Sequence, residues 1–165
     1  MTDSAIALDL TWTELDYHVA ALAERIRQDG VPQVVIGILR GGMVPAVLLA
    51  HRLGVRDVRG IEVIRTLTDG PNGPKASHPQ VTNPASLGTL PAEADVLIID
   101  DVAGSGATLH TAAALLSDSA GRVRRAVVVV NIINWNNANP ATPQEVQDYV
   151  GTTCAGWVCF PWEVR

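Results

Sequence analysis

The chain has 165 residues, 47% of them apolar, and a formal net charge of −5. That length suits a single domain, 1–165, with a substantial core, and the negative charge argues against nucleic acid or an anionic membrane surface as partner. No run approaches the roughly 20 apolar residues of a membrane span, the opening MTDSAIALDL lacks the basic start of a signal peptide, and Cys154 and Cys159 are too few and wrongly spaced for a disulfide framework or a CxxC site, so the expected compartment is the reducing cytoplasm.

Residues 11–29, TWTELDYHVAALAERIRQD, place Leu15, Val19, Leu22 and Ile26 on one helical face, with Thr11 and Thr13 as candidate caps and Gly30 as the stop. Residues 34–39 form a short apolar run that reads as a buried strand. The spacing then predicts a helix over 43–53, with Pro45 tolerable in its first turn and Gly54 beyond its end. A second strand follows at 58–64. The next segment, 66–91, holds five of the ten prolines along with Gly70, Gly73 and Gly88; a long loop of this kind inside a compact domain is a lid, a binding loop or disorder. Strands are expected at 96–99 and 126–133, with a helix at 108–116 that turns Leu109, Ala113 and Leu116 inward. Residues 134–144, NWNNANPATPQ, form a second irregular stretch. Short apolar patches at 149–150 and 157–160 read as small strands outside the main sheet. Strands alternating with helices predict an α/β fold, a mostly parallel central sheet flanked by helices. Both irregular segments follow strands, which puts them at the carboxyl edge, where open α/β sheets bind ligands.

The most informative stretch is residues 96–110, VLIIDDVAGSGATLH. Four apolar residues run into Asp100 and Asp101, and then a small-residue turn opens a helix. A helix start preceded by small residues offers outward N–H groups and a dipole that favours an anion, so 103–108 can wrap a monophosphate, with the Ser105 and Thr108 hydroxyls as further donors. Neither the Walker A pattern nor GxGxxG is present. Twin carboxylates beside such a cradle suit the two hydroxyls of a ribose, or Mg²⁺. A ribose carrying a 5′-phosphate satisfies all of these features. The same residues also read as a helix cap and a tight turn.

The pattern of apolar strand, two acids, two spacers, small turn and Thr108 resembles the signature of the type I phosphoribosyltransferases, which use 5-phosphoribosyl-1-pyrophosphate (PRPP). Residues 35–58, VIGILRGGMVPAVLLAHRLGVRDV, resemble that family's pyrophosphate loop and following helix, while TWTELDYHVAALAERI and WVCFPWE resemble its bacterial xanthine-guanine and hypoxanthine branch. The resemblance implies that Asp100 and Asp101 hold the ribose hydroxyls, with Asp101 also reaching Mg²⁺. It implies that Val102, Ala103, Gly104, Ser105, Gly106, Ala107 and Thr108 surround the 5′-phosphate. Leu39, Arg40, Gly41 and Gly42 would form the pyrophosphate loop, with a cis Leu39–Arg40 peptide and Arg40 as the fixed positive charge. The 66–91 segment would be a flexible hood that excludes water, bringing Arg65 and Lys75 toward pyrophosphate, and the C-terminus a second, smaller hood region. The acceptor base would stack on Trp157 and be read by the Val158 backbone, with Asn131 or Asn134 as hydrogen-bonding groups. A homodimer or homotetramer is implied.

Three positions depart from the family. Gly104 stands where purine enzymes usually carry an acid, residues 130–134 lack the usual lysine, and Cys159 replaces an acid that often binds metal. These departures leave the PRPP parts intact and alter the base-reading parts. The reading is therefore a Mg²⁺-dependent transferase acting on PRPP and a small heterocyclic acceptor, with a purine first, a non-purine second, and a non-catalytic PRPP or nucleotide binder as the remaining alternative.

Overall fold

The computed structural model describes residues 6–66 and 75–163. The chain runs β1 (Ile6–Asp9), α1 (Trp12–Gln28), β2 (Val34–Leu39), α2 (Met43–Leu53), β3 (Asp57–Thr66), β4 (Lys75–Val81), a 3-10 turn (Pro84–Leu87), β5 (Asp95–Ala103), α3 (Ala107–Leu116), β6 (Arg122–Asn131), α4 (Ile132–Ala138), α5 (Pro143–Val146), β7 (Tyr149–Cys154) and β8 (Trp157–Cys159).

Helix α1 begins in a capping box. Thr11 Oγ1 accepts the Glu14 N–H at 3.2 Å and Glu14 Oε2 accepts the Thr11 N–H at 2.8 Å, which satisfies two donors the helix itself leaves open. Leu15, Val19, Leu22 and Ile26 are fully buried, as their spacing predicts. Helix α2 ends at Gly54 in the left-handed conformation, φ +73°, where glycine has no Cβ to clash.

The main sheet has the order β4-β3-β2-β5-β6-β7. All its neighbours are parallel except β4, which pairs antiparallel with β3 at one edge. Successive strand residues point to opposite faces, so Val35, Leu97 and Ile99 pack under α1 and α2, while Ile36, Ile38, Val96 and Ile98 pack under α3 and Trp135 of α4. A Cβ on Gly37 would lie 2.8 Å from the Met43 sulfur and 2.9 Å from the Ala46 methyl, so α2 lies directly on β2. Strands β1 and β8 form a separate two-stranded parallel sheet.

Several elements differ from expectation. Strand β7 joins the main sheet at its edge, with Tyr149 and Val150 buried beside Ala126 and Val127; Gly151, Thr152 and Thr153 dilute its apolar signal. Strand β6 starts four residues early because buried Arg124 has its charge matched by Asp95. It stops at Asn131, whose side chain caps α4, so Ile132 and Ile133 are helical. The 134–144 stretch is largely the rest of α4 and the start of α5, whose Thr142–Glu145 capping box sets its entry. In the proline-rich segment β4 and the 3-10 turn are regular structure, and 67–74 lie outside the described residues. In α3 the buried alanine is Ala112, not Ala113. Strand β5 continues through both aspartates to Ala103.

Candidate functional site

The pairing of β2 with β5 assembles the site. Val34 lies beside Val96 and Gly37 beside Ile99, so the two strands end together and the LRGG turn emerges next to the twin acids, 60 residues away in sequence. The Leu39–Arg40 peptide is cis. A Cβ on Gly41 would stand 1.8 Å from Asp101 Oδ2, and one on Gly42 would stand 2.7 Å from the Ile38 carbonyl oxygen and 2.8 Å from that of Ile99. Only glycine allows backbone to approach the acids this closely. Arg40, the residue before this pair, is exposed.

Asp100 is 9% exposed. Its Oδ1 accepts the Asp101 N–H at 3.0 Å, and Asp101 Oδ1 accepts the Val102 N–H at 2.8 Å. Burial, followed by the Asp101 charge, pushes the Asp100 carboxyl well above the ordinary carboxylate range. Burial also raises Asp101, and the Glu163 carboxylate adds to the effect. Two such groups titrate as a pair, and both favour a ligand that brings positive charge or hydroxyl donors.

Beyond Ala103 the chain turns through Gly104, Ser105 and Gly106 into α3. Gly106 is left-handed, φ +76°. Its carbonyl accepts the His110 N–H at 3.0 Å, so the N–H groups of the preceding helical turn have no partner within the helix. Gly104, Ser105, Ala107 and Thr108 are half-buried beside them. Asn139 Nδ2 donates to the Ser105 carbonyl at 2.9 Å. The profile of the phosphoribosyl transferase domain matches residues 11–165.

The chain belongs to the phosphoribosyltransferase family. The xanthine-guanine phosphoribosyltransferase of Ruegeria sp. (strain TM1040) is 26% identical over 160 residues, 94% of this chain and 84% of that one. The crystal structure of a purine phosphoribosyltransferase from Pyrococcus horikoshii is 30% identical, with a TM-score of 0.75 over 96% of this chain and 94% of that one. The Helicobacter pylori xanthine-guanine-hypoxanthine phosphoribosyltransferase shares the fold at a TM-score of 0.73 and 20% identity, covering 95% and 93% of the two chains.

In this phosphoribosyltransferase Trp157 and Val158, expected to meet the acceptor, lie on the small sheet. Trp157 is half-buried, while Val158 and Cys159 are buried. Asn131 is engaged at both ends of its amide: Nδ2 donates to the Gly156 carbonyl at 2.8 Å and Oδ1 accepts the Asn134 N–H at 3.3 Å. It thereby holds the turn that leads into Trp157. Asn134 is exposed. Trp162 stacks on Phe160, centroids 4.6 Å apart. The side chains of Arg65 and Lys75 lie outside the described residues; their strands meet at the Thr66–Lys75 pair.

Sequence reasoning missed Glu163. Its Oε2 accepts the Phe160 N–H at 3.0 Å, and its charge bears on Asp101. The only available signal was a lone acid closing the CFPWE segment. Among the described residues no three acidic, histidine or cysteine side chains converge to hold a metal by themselves, and none of the helices is long and apolar enough to cross a membrane.

Proposed function

We propose that this phosphoribosyltransferase moves the 5-phosphoribosyl group of PRPP to a ring nitrogen of a purine such as hypoxanthine, guanine or xanthine, releasing pyrophosphate. The observation that supports this is the close approach of Gly41 to the Asp101 carboxylate, which brings the LRGG turn beside the twin acids that precede α3. The names of the relatives support a purine as acceptor.

Each part then has a task. The backbone N–H groups around Gly104 to Thr108 bind the 5′-phosphate and fix the sugar. Asp100 and Asp101 accept hydrogen bonds from the ribose 2′- and 3′-hydroxyls. Arg40 and the Gly41–Gly42 amides stabilise the charge that develops on the leaving group as the C1–oxygen bond breaks and the electron pair departs with pyrophosphate. The base, stacked on Trp157, attacks C1 from the opposite face, and its ring proton passes to solvent, since Gly104 offers no side chain to take it. Holding both reactants in line supplies much of the acceleration.

The acids fit Mg²⁺. They are hard oxygen donors whose ionisation burial opposes, and a cation relieves that cost. Mg²⁺ is commonly held by one or two carboxylates together with substrate phosphates. Asp101, with Asp100 beside it, would hold the ion, which when bound supplies charge neutralisation at the pyrophosphate oxygens. A cytoplasmic homodimer or homotetramer completes the reading.

The test is pyrophosphate release from PRPP and Mg²⁺ with a panel of bases. Release with hypoxanthine, guanine or xanthine is expected. Release with non-purine heterocycles alone overturns the acceptor, PRPP binding without release makes the chain a regulator, and no PRPP binding overturns the whole reading.

A further inference from the structure

Helix α4, the turn that follows it and the residues entering β7 form a wall behind the Gly104–Ala107 bend. Resting on the phosphoribosyl reading above, we propose that Gln147 is a positioning residue of this bend: its side-chain amide is the inner hydrogen-bond partner of the bend in the phosphate-loaded form, and so sets affinity for the 5′-phosphate without touching it.

The carbonyl of Ser105 and the N–H of Gly106 belong to one planar trans peptide and point in opposite directions. Asn139 takes that carbonyl from the inner side at 2.9 Å, which turns the Gly106 N–H outward, toward the ligand side. A bend that wraps an anion with consecutive N–H groups must repeat this, turning further carbonyls toward the protein. Those carbonyls need inner donors, because a buried unpaired carbonyl is costly.

Gln147 is the donor at hand. It is 2% exposed, and its Nε2 lies 2.9 Å from where a Cβ on Gly106 would stand. Neither Nε2 nor Oε1 has a partner among the described residues. A buried side-chain amide with both ends unmatched is uncommon and calls for an explanation. The indole N–H of the adjacent Trp135 does not serve it, since Nε1 already donates to the Ala141 carbonyl at 2.8 Å. Closure of the bend on phosphate turns a carbonyl toward Nε2 and gives the amide its partner. The loaded state thus gains a hydrogen bond that the free state lacks, and such a difference between states appears as affinity.

Calorimetric titration of wild type, Gln147→Met and Gln147→Leu with ribose 5-phosphate and, separately, pyrophosphate tests this. Both variants keep the volume and discard the unpaired amide, so their free forms melt at or above the wild-type temperature. Ribose 5-phosphate binding weakens by roughly five- to twentyfold, the loss of one buried hydrogen bond, while pyrophosphate, which meets the Arg40 loop, stays within about twofold. Undiminished ribose 5-phosphate binding in either folded variant overturns the inference, as does equal weakening of both ligands, which marks general damage. A wild type that binds neither ligand removes the phosphoribosyl reading itself.

Discussion

Arg124 and Asp100 lie on adjacent strands of one sheet, both buried, at opposite edges. At the amino edge Arg124 is 1% exposed and fully matched. Its Nε and Nη2 donate to Asp95 at 3.0 and 2.8 Å, Nη2 also to the Gly30 carbonyl at 2.9 Å, and Nη1 to the Tyr149 hydroxyl at 3.1 Å. That hydroxyl in turn donates to Asp29 at 2.8 Å. At the carboxyl edge Asp100 is buried against another acid, and both carboxyls are held up in pKa. Buried charge at one edge is matched by an opposite charge within the chain, whereas at the other a carboxyl lies against a second carboxyl. The first arrangement ties β5, β6, β7 and the end of α1 together. The second leaves two carboxyls whose ionisation burial opposes.

The contrast is most exposed to test at Arg124. Arg124→Ala leaves Asp95 and Tyr149 without their partner and is expected to cost about 3–5 kcal/mol, a fall in Tm of roughly 6–20 °C, with the KM for PRPP unchanged in the folded protein. A change in KM with little change in Tm would erase the distinction between the edges. Asp101→Asn is the mirror experiment. Turnover is expected to fall about 100-fold, about 2.7 kcal/mol, while Tm holds or rises, because a charge whose ionisation burial opposes has been removed; wild-type turnover would remove the ribose assignment. Gly41→Ala brings a methyl to within 1.8 Å of Asp101 Oδ2 and displaces the carboxylate. The KM for PRPP should rise about tenfold, about 1.4 kcal/mol, with the circular dichroism of the wild type.

The acid pair also gives the free protein a pH signature. The native carboxyls are raised, so between the ordinary Asp value of about 4 and the raised native value the folded state holds more protons than the unfolded one. Stability is therefore highest below that window and declines as pH rises through it. Thermal melts at several pH values should show this decline flattened in Asp100→Asn, and superimposable slopes for the two proteins would sink the assignment. The smallest effect is expected far from both edges. Thr11→Ala removes the side-chain half of the α1 capping box and should lower Tm by roughly 2–4 °C, leaving kinetics untouched.

Periodicity and punctuation made much of the fold legible. The buried face of α1, the β2 run and the glycine stop of α2 follow from spacing and from local steric rules, which act over a few residues and need no knowledge of the rest of the chain. The small turn and helix start of DDVAGSGAT were legible for the same reason: they are adjacent in sequence. What tertiary structure alone decided depends on contacts between distant residues. Arg124 lies ahead of the strand expected at 126–133 and joins it because Asp95 neutralises its charge, and the small strand expected at 149–150 runs on to Cys154 and enters the main sheet because β6 offers it an open edge. Nothing near Asn131 in sequence shows that its amide holds the turn at Gly156. Gln147 carried no local signal and Glu163 only that of a lone acid, because a carboxylate bearing on Asp101 and an amide stranded behind Gly106 take their meaning from what the packed chain places beside them.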